Sequence, residues 1–264
     1  MVSIYEWALS YLNERNVDSP EFELKQLKMA NSVQNHNTEK DFISKVKRRG
    51  NGEPLQYILG EWEFMSLPFI CRRNVLIPRP DTEILVETAL EMLDDKPAKV
   101  LDLCCGSGCI GISIAHYNKN VHVVCADISD HALKLTKENA ELNNTADKIK
   151  IVKQDIFQDK FNDKFNMIIS NPPYIKQEEI SQLQKEVADF EPHLALDGGS
   201  DGLEFYKTIC KNYYGNLIQN GALLFEIGIN MEKDVIHICS GNGYRDIRVI
   251  NDYNGINRVV TAKK

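Results

Sequence analysis

No run of 18 uninterrupted apolar residues occurs anywhere in the chain, so no membrane-spanning helix is expected. There is no excess of basic charge. Lys and Arg number 31 against 38 Asp and Glu, a net charge of −7, which argues against wholesale binding of nucleic-acid phosphates. Seven cysteines are present, yet no Cys-x-x-Cys occurs and no histidine stands at zinc-ligand spacing from a cysteine pair. An odd count without that spacing predicts free thiols in a reducing cytoplasm, with no metal and no disulfide framework. The opening Met1-Val2-Ser3-Ile4-Tyr5-Glu6 has neither a basic region nor an apolar stretch, so no secretory leader is expected. Internal repeats and low-complexity tracts are missing too.

What remains is an ordinary globular composition, 43% hydrophobic and 26% charged over 264 residues. That length gives one to two domains at about 150 residues each. Residues 1–75 read as a small helical unit. Ile4, Trp7, Ala8, Tyr11 and Leu12 share one helical face. Ser19-Pro20 reads as an N-cap with Pro at the first helical position, and Thr38-Glu39-Lys40-Asp41 as a capping box with the shorter acid. Lys45-Val46-Lys47-Arg48-Arg49 reads as a solvated last turn, with a docking patch as the alternative. Residues 60–77 suggest a β-hairpin leading to Pro78-Arg79-Pro80, a linker to about residue 80.

From about residue 98 the period changes. Val100–Leu103, Val121–Ala126, Ile149–Val152, Met167–Ile169, Ala222–Ile227 and Ile247–Ile250 are short apolar runs separated by helical stretches, the pattern of parallel βαβ units. Arg258–Ala262 follows after only a short turn, which permits an antiparallel partner but no parallel crossover. An α/β fold results: a mostly parallel sheet with an antiparallel final strand over 81–264, preceded by the helical unit.

Two segments carry chemistry. In Leu101-Asp102-Leu103-Cys104-Cys105-Gly106-Ser107-Gly108-Cys109-Ile110-Gly111 a buried strand runs through a glycine turn into a helix, and Asp127 ends the next strand. Glycines let a ligand approach the backbone, helix N–H groups point at it, and a carboxylate after the second strand accepts ribose hydroxyls. Gly106-x-Gly108-x-x-Gly111 matches the dinucleotide fingerprint, which alone is weak, and a tight turn without ligand is the alternative. The second segment, Asn171-Pro172-Pro173-Tyr174, follows the strand Met167–Ile169 and Ser170. Consecutive prolines remove donors and fix φ, so the Pro172 carbonyl can serve as a rigid acceptor beside the Asn171 side-chain oxygen. Together they can grip both hydrogens of a planar –NH2 group, with the Tyr174 ring against its π-face. A rigid bend without function is the alternative here. Glu226 reads either as facing this site or as a satisfied carboxylate at the core edge.

Asp102–Gly111, Asp127 and the Asn171–Tyr174 tetrad resemble the class I S-adenosylmethionine-dependent methyltransferases, whose fold is Rossmann-like. Leu76-Ile77-Pro78-Arg79-Pro80-Asp81-Thr82-Glu83, Gly52–Gly60 and Glu191–Gly199 narrow the resemblance to the peptide chain release factor glutamine N5-methyltransferases, also called the HemK family. The resemblance implies transfer of a methyl group from S-adenosylmethionine to the side-chain nitrogen of the glutamine in the Gly-Gly-Gln motif of class I release factors. It places Asp102, Cys104, Cys105, Gly106, Ser107, Gly108, Asp127, Asp155, Ile156 and Asn171 around the cofactor. It places Asn171, Pro172, Pro173 and Tyr174 on the glutamine amide, with Arg79 at the substrate entrance. The family usually opens the loop with Gly where this chain has Cys104. An amide nitrogen is a poor nucleophile, and two acceptors on its hydrogens raise its electron density and aim it. This scheme requires no general base, and the sequence offers no obvious one. The implied enzyme is a cytoplasmic monomer that binds neither membrane nor nucleic acid directly.

Three other functions share parts of the pattern. A DNA or RNA amino-group methyltransferase would use the same tetrad, but should show a basic groove or a target-recognition insert. A nicotinamide-dependent dehydrogenase leaves the tetrad unexplained. A non-catalytic S-adenosylmethionine-binding module should show an eroded loop or tetrad, and both are intact.

Overall fold

The computed structural model describes residues 3–33 and 39–264. Among them no helix is long and apolar enough to cross a membrane. The helical unit contains α1 (Ile4–Glu14), α2 (Pro20–Val33), α3 (Glu39–Gly50) and the short α4 (Leu55–Leu59). Ser3 and Glu6 form a reciprocal capping box at the start of α1. Pro20 opens α2, with the Ser19 carbonyl accepting from the Glu23 N–H. Ser19 itself adopts φ +49°, not the extended conformation expected of an N-cap. The cap expected at Thr38 lies outside the described residues. Ala8, Leu12, Leu27, Phe42, Val46 and Leu55 bury one another between these helices.

One charged side chain departs from expectation. Arg49 is only 6% exposed, not part of a solvated turn. Its guanidinium pairs with Glu23 of α2 and, at 2.9 Å, with Glu186 in the second half of the chain. A buried cation without such partners would be too costly to retain.

The hairpin β1 (Glu61–Phe64) and β2 (Leu67–Ile70) comes next, and of its apolar side chains Trp62 packs against the helical unit. Phe64, Leu67 and Phe69 pack instead into the core of the large sheet, beside α5 (Glu83–Met92).

That sheet has seven strands: β3 (Ala98–Leu103), β4 (Val121–Asp127), β5 (Ile149–Lys153), β6 (Phe165–Ser170), β7 (Leu217–Glu226), β8 (Arg245–Asn251) and β9 (Asn257–Lys263). Their order is β5-β4-β3-β6-β7-β9-β8. All neighbours pair in parallel except β9, which is antiparallel to both β7 and β8. The closing strand therefore inserts inside the sheet and leaves β8 at the edge. Residues alternate between two buried faces. Val100, Val123, Met167 and Leu224 face α5, α6 (Cys109–Tyr117) and the hairpin. Leu101, Val124, Ile168 and Leu223 face α9 (Glu204–Tyr213) and α10 (Glu232–Gly241). Continuous apolar runs are what a strand covered on both sides requires. Helix α7 (Asp130–Leu142) follows β4, and α8 (Lys185–Phe190) follows β6. One expected helical stretch does not form: residues 154–164 cross from β5 to β6 through turns.

Register fixes where the chemistry lies. Leu103 pairs with Ala126 on one side and Ser170 on the other. The carboxyl ends of β3, β4 and β6 thus open side by side, at the point where the strand order reverses, the usual ligand position in such sheets.

Candidate active site

The loop after β3 turns sharply because three of its residues take left-handed backbone: Cys104 at φ +59°, Gly106 at +55° and Gly108 at +79°. Glycine enters that region freely and a cysteine only with strain, the physical reason Gly suits position 104 better. The Cys105 N–H donates to the Ala126 carbonyl, and the Gly106 N–H to Asp127 Oδ2 at 2.9 Å. Asp127 Oδ1 accepts the Ser129 N–H, also at 2.9 Å. Burial pushes the Asp127 carboxyl up, against the N–H groups that favour its charge.

A cleft opens above these strand ends, walled by the glycine loop on one side and by Asn171 and Pro173 on the other. Of the residues expected around the cofactor, Cys104, Cys105, Gly106, Ser107, Asp127, Asp155, Ile156 and Asn171 line it. Two do not. Asp102 is 0% exposed and stands behind the loop, its Oδ2 accepting the Gly111 N–H at 3.0 Å. Its other oxygen has no partner among the described residues, and burial raises the carboxyl to about 8. Asp102 fastens the loop to α6 from within. Gly108 packs on α7, where an added Cβ would lie 2.7 Å from Thr136 Cγ2.

The tetrad divides as well. Asn171 and Pro173 line the cleft, whereas Pro172 is buried. Among the described residues, no donor reaches the Asn171 Oδ1 or the Pro172 carbonyl, so both remain available as acceptors. Tyr174, read from the sequence as a platform for the substrate amide, is not part of the cleft wall. Its ring lies on Gly228, where a Cβ would come within 3.1 Å. The turn is held from the other side by residues 191–199. Ile175 N–H donates to the Leu196 carbonyl and Gly198 N–H to the Ile175 carbonyl. Arg79 lines the cleft and donates to Glu191 at 2.6 Å, joining the Pro78–Pro80 linker to that segment.

Several further wall residues were not singled out from the sequence. Ile128 and Phe157 are exposed apolar side chains next to Asp127 and Asp155, a suitable flank for a planar base. Leu194 stands exposed on the opposite segment, and the Thr82 hydroxyl oxygen accepts from Asn171 Nδ2–H at 3.2 Å. Glu226 lies beneath Thr82 and Asn171, with its carboxyl pushed by burial to about 7. A lone carboxylate in Phe225-Glu226-Ile227 carries no sequence signal that separates a site residue from a core-edge one.

A parallel sheet with one antiparallel strand, a glycine loop and an acid at the second strand end define a methyltransferase of the Rossmann-like class. A methyltransferase from Pyrococcus furiosus shares the fold, with a TM-score of 0.58 at 16% identity over 76% of this chain and 90% of that one. Residues 80–199 match the Methyltransferase small domain family. The release factor glutamine methyltransferase of Clostridium botulinum is 43% identical over 226 residues, 84% of this chain and 80% of that protein. That of Geobacter sulfurreducens is 37% identical over 98% of this chain and 95% of its own length. The chain belongs to the release factor glutamine methyltransferase family.

Proposed function

We propose that the chain transfers a methyl group from S-adenosylmethionine to the side-chain amide nitrogen of the glutamine in the Gly-Gly-Gln motif of class I peptide chain release factors. One observation carries this reading: a single cleft joins the glycine loop and Asp127 to Asn171, whose Oδ1 takes no donor among the described residues, nor does the carbonyl of the adjoining Pro172. The wall suits the cofactor. Asp127 and Asp155 favour its cationic and hydroxyl-bearing parts, and Ile128 with Phe157 suits its flat adenine. Bound S-adenosylmethionine supplies an electrophilic methyl group.

The rest falls to this chain's residues. Asn171 Oδ1 and the Pro172 carbonyl each accept one hydrogen of the glutamine –NH2. That raises electron density on the nitrogen and aims it. Pro173 and the Gly198 segment keep the turn rigid, Tyr174 braces it on Gly228, and Arg79 guards the entrance. The helical unit, residues 1–75 as read from the sequence, docks the body of the factor. The enzyme works as a monomer in the cytoplasm, where release factors act, without membrane or direct nucleic-acid contact.

Intact release factor incubated with labelled S-adenosylmethionine tests this. The expected result is one methyl group on the Gly-Gly-Gln peptide, lost when that glutamine is replaced. Labelling of DNA, RNA or no substrate at all would overturn it.

A further inference from the structure

Glu226 ends β7 directly under the tetrad, 2% exposed, and its Oε2 has no hydrogen-bond partner among the described residues. The register of β6 with β7, Ser170 opposite Phe225, brings Glu226 beside Asn171, and the Thr82 hydroxyl and the Asn171 side-chain amide are polar neighbours that favour the charge of its carboxylate. Thr82 Oγ1 in turn accepts from Asn171 Nδ2 at 3.2 Å. A hydroxyl has a single proton to give. When that proton is turned towards the Glu226 carboxylate, Thr82 offers Asn171 only lone pairs, and only the Nδ2 edge of the amide satisfies them. The Oδ1 edge must then point the other way, towards the cleft that Asn171 lines.

We propose that Glu226, acting through Thr82, is a positioning residue that locks the Asn171 amide with its oxygen towards the substrate nitrogen. The inference rests on the glutamine-methylating reading of the site. Without the lock, a side-chain amide can turn over and present its –NH2 edge, a donor facing a donor, and the substrate nitrogen is no longer activated or aimed, while the factor stays bound through the rest of its surface.

The charges around Glu226 are balanced so that its protonation state matters. Arg258 of β9 attracts it, but the same guanidinium also serves Asp252 at 3.3 Å and Asp81 at 3.2 Å. Asp81, ahead of α5, repels it. Tyr174, Tyr206 of α9 and Cys109 of α6 complete the surroundings, with the Tyr206 hydroxyl donating to the Glu226 backbone carbonyl. Burial outweighs the favourable partners and holds the carboxyl near 7. Once protonated, Glu226 becomes a donor to Thr82, whose own proton then turns to Asn171 and calls for the wrong amide edge. Turnover should therefore fall as pH drops through about 7.

The test measures pH profiles of kcat and KM on intact release factor for the full chain, Glu226→Gln, Thr82→Val and Thr82→Ser. Glutamine can donate and accept, so it imposes no orientation. Glu226→Gln is expected to lower kcat about tenfold or more, leave KM and S-adenosylmethionine affinity by calorimetry near wild type, and abolish the acid limb. Thr82→Val should behave alike, and Thr82→Ser should restore most of the turnover that valine removes. Folding is not at risk in Glu226→Gln, because a neutral amide replaces an incompletely satisfied buried carboxylate. An unchanged profile in Glu226→Gln, or a loss confined to KM, overturns the proposal. A wild-type chain that methylates no release factor overturns the underlying reading instead.

Discussion

Each carboxylate oxygen of Asp127 already accepts one backbone N–H, from Gly106 and from Ser129. A carboxylate has about four lone-pair sites, so both oxygens keep room for a ribose hydroxyl. Asp127→Ala removes those acceptors and also releases the Gly106 N–H from its anchor. Charge-assisted hydrogen bonds contribute about 1.5–3 kcal/mol each, so calorimetry should show S-adenosylmethionine affinity falling at least about tenfold. Unchanged affinity would remove Asp127 from the cofactor site. Asn171 separates binding from chemistry. Its side-chain oxygen matters most when the nitrogen attacks, so Asn171→Ala should cut kcat by about a hundredfold while release-factor affinity changes little. A parallel loss of both would make Asn171 a folding residue. At this scale the sequence brought Asp127 and Asn171 to the cleft wall, since both sit at strand ends whatever the packing. It located Tyr174 and Asp102 less well. Whether a side chain faces the cleft or the core depends on Gly228 and Gly111, which approach from other segments.

Elements were legible where burial on both faces writes a continuous apolar run, as in β3, β4, β6 and β7. The antiparallel pairing of β9 was legible from loop length alone. Residues 154–164 were not, because helical spacing gives no sign that Asp155, Ile156 and Phe157 turn into the cleft. The loop-to-helix junction offers a sharper check. Gly108 combines φ +79° with a would-be Cβ 2.7 Å from Thr136 Cγ2 and 2.9 Å from Ile112 Cδ1. Both neighbours are fixed, Thr136 by donating its hydroxyl to the Gly106 carbonyl at 3.0 Å. Gly108→Ala should therefore destabilise the fold by about 2 kcal/mol or more in chemical denaturation, and pull the cofactor loop out of place. Full stability would mean that α7 yields easily and that the glycine is there for a ligand.

Over the whole molecule, the chain reads as a helical unit and a catalytic unit, and packing moves the divide between them. The hairpin looks like a linker in sequence because its partners are far along the chain: the Ile70 N–H donates to Asn139 Oδ1 at 2.7 Å, 69 residues away. With Phe64 and Phe69 in the sheet's core, we place the divide near Gly60, not near residue 75.

A glutamine side chain alone offers too little surface to single out one protein, so discrimination needs a second contact away from the amide clamp. The helical unit carries an exposed apolar side chain suited to that contact, Phe22 of α2 at 50%. Its other possible role is a cap, held by the Arg49–Glu186 and Glu53–Arg73 ion pairs. Replacing Phe22 by Ala leaves those pairs and the buried cluster intact. KM for intact release factor should rise about tenfold, with no change in melting temperature or in turnover of a short Gly-Gly-Gln peptide. Residues 61–264 alone should stay folded by circular dichroism and bind S-adenosylmethionine, yet methylate the intact factor far more slowly than the full chain. Normal KM in Phe22→Ala, together with an unfolded 61–264 fragment, would assign the helices to capping and leave discrimination to the rim of the cleft around Arg79 and Leu194.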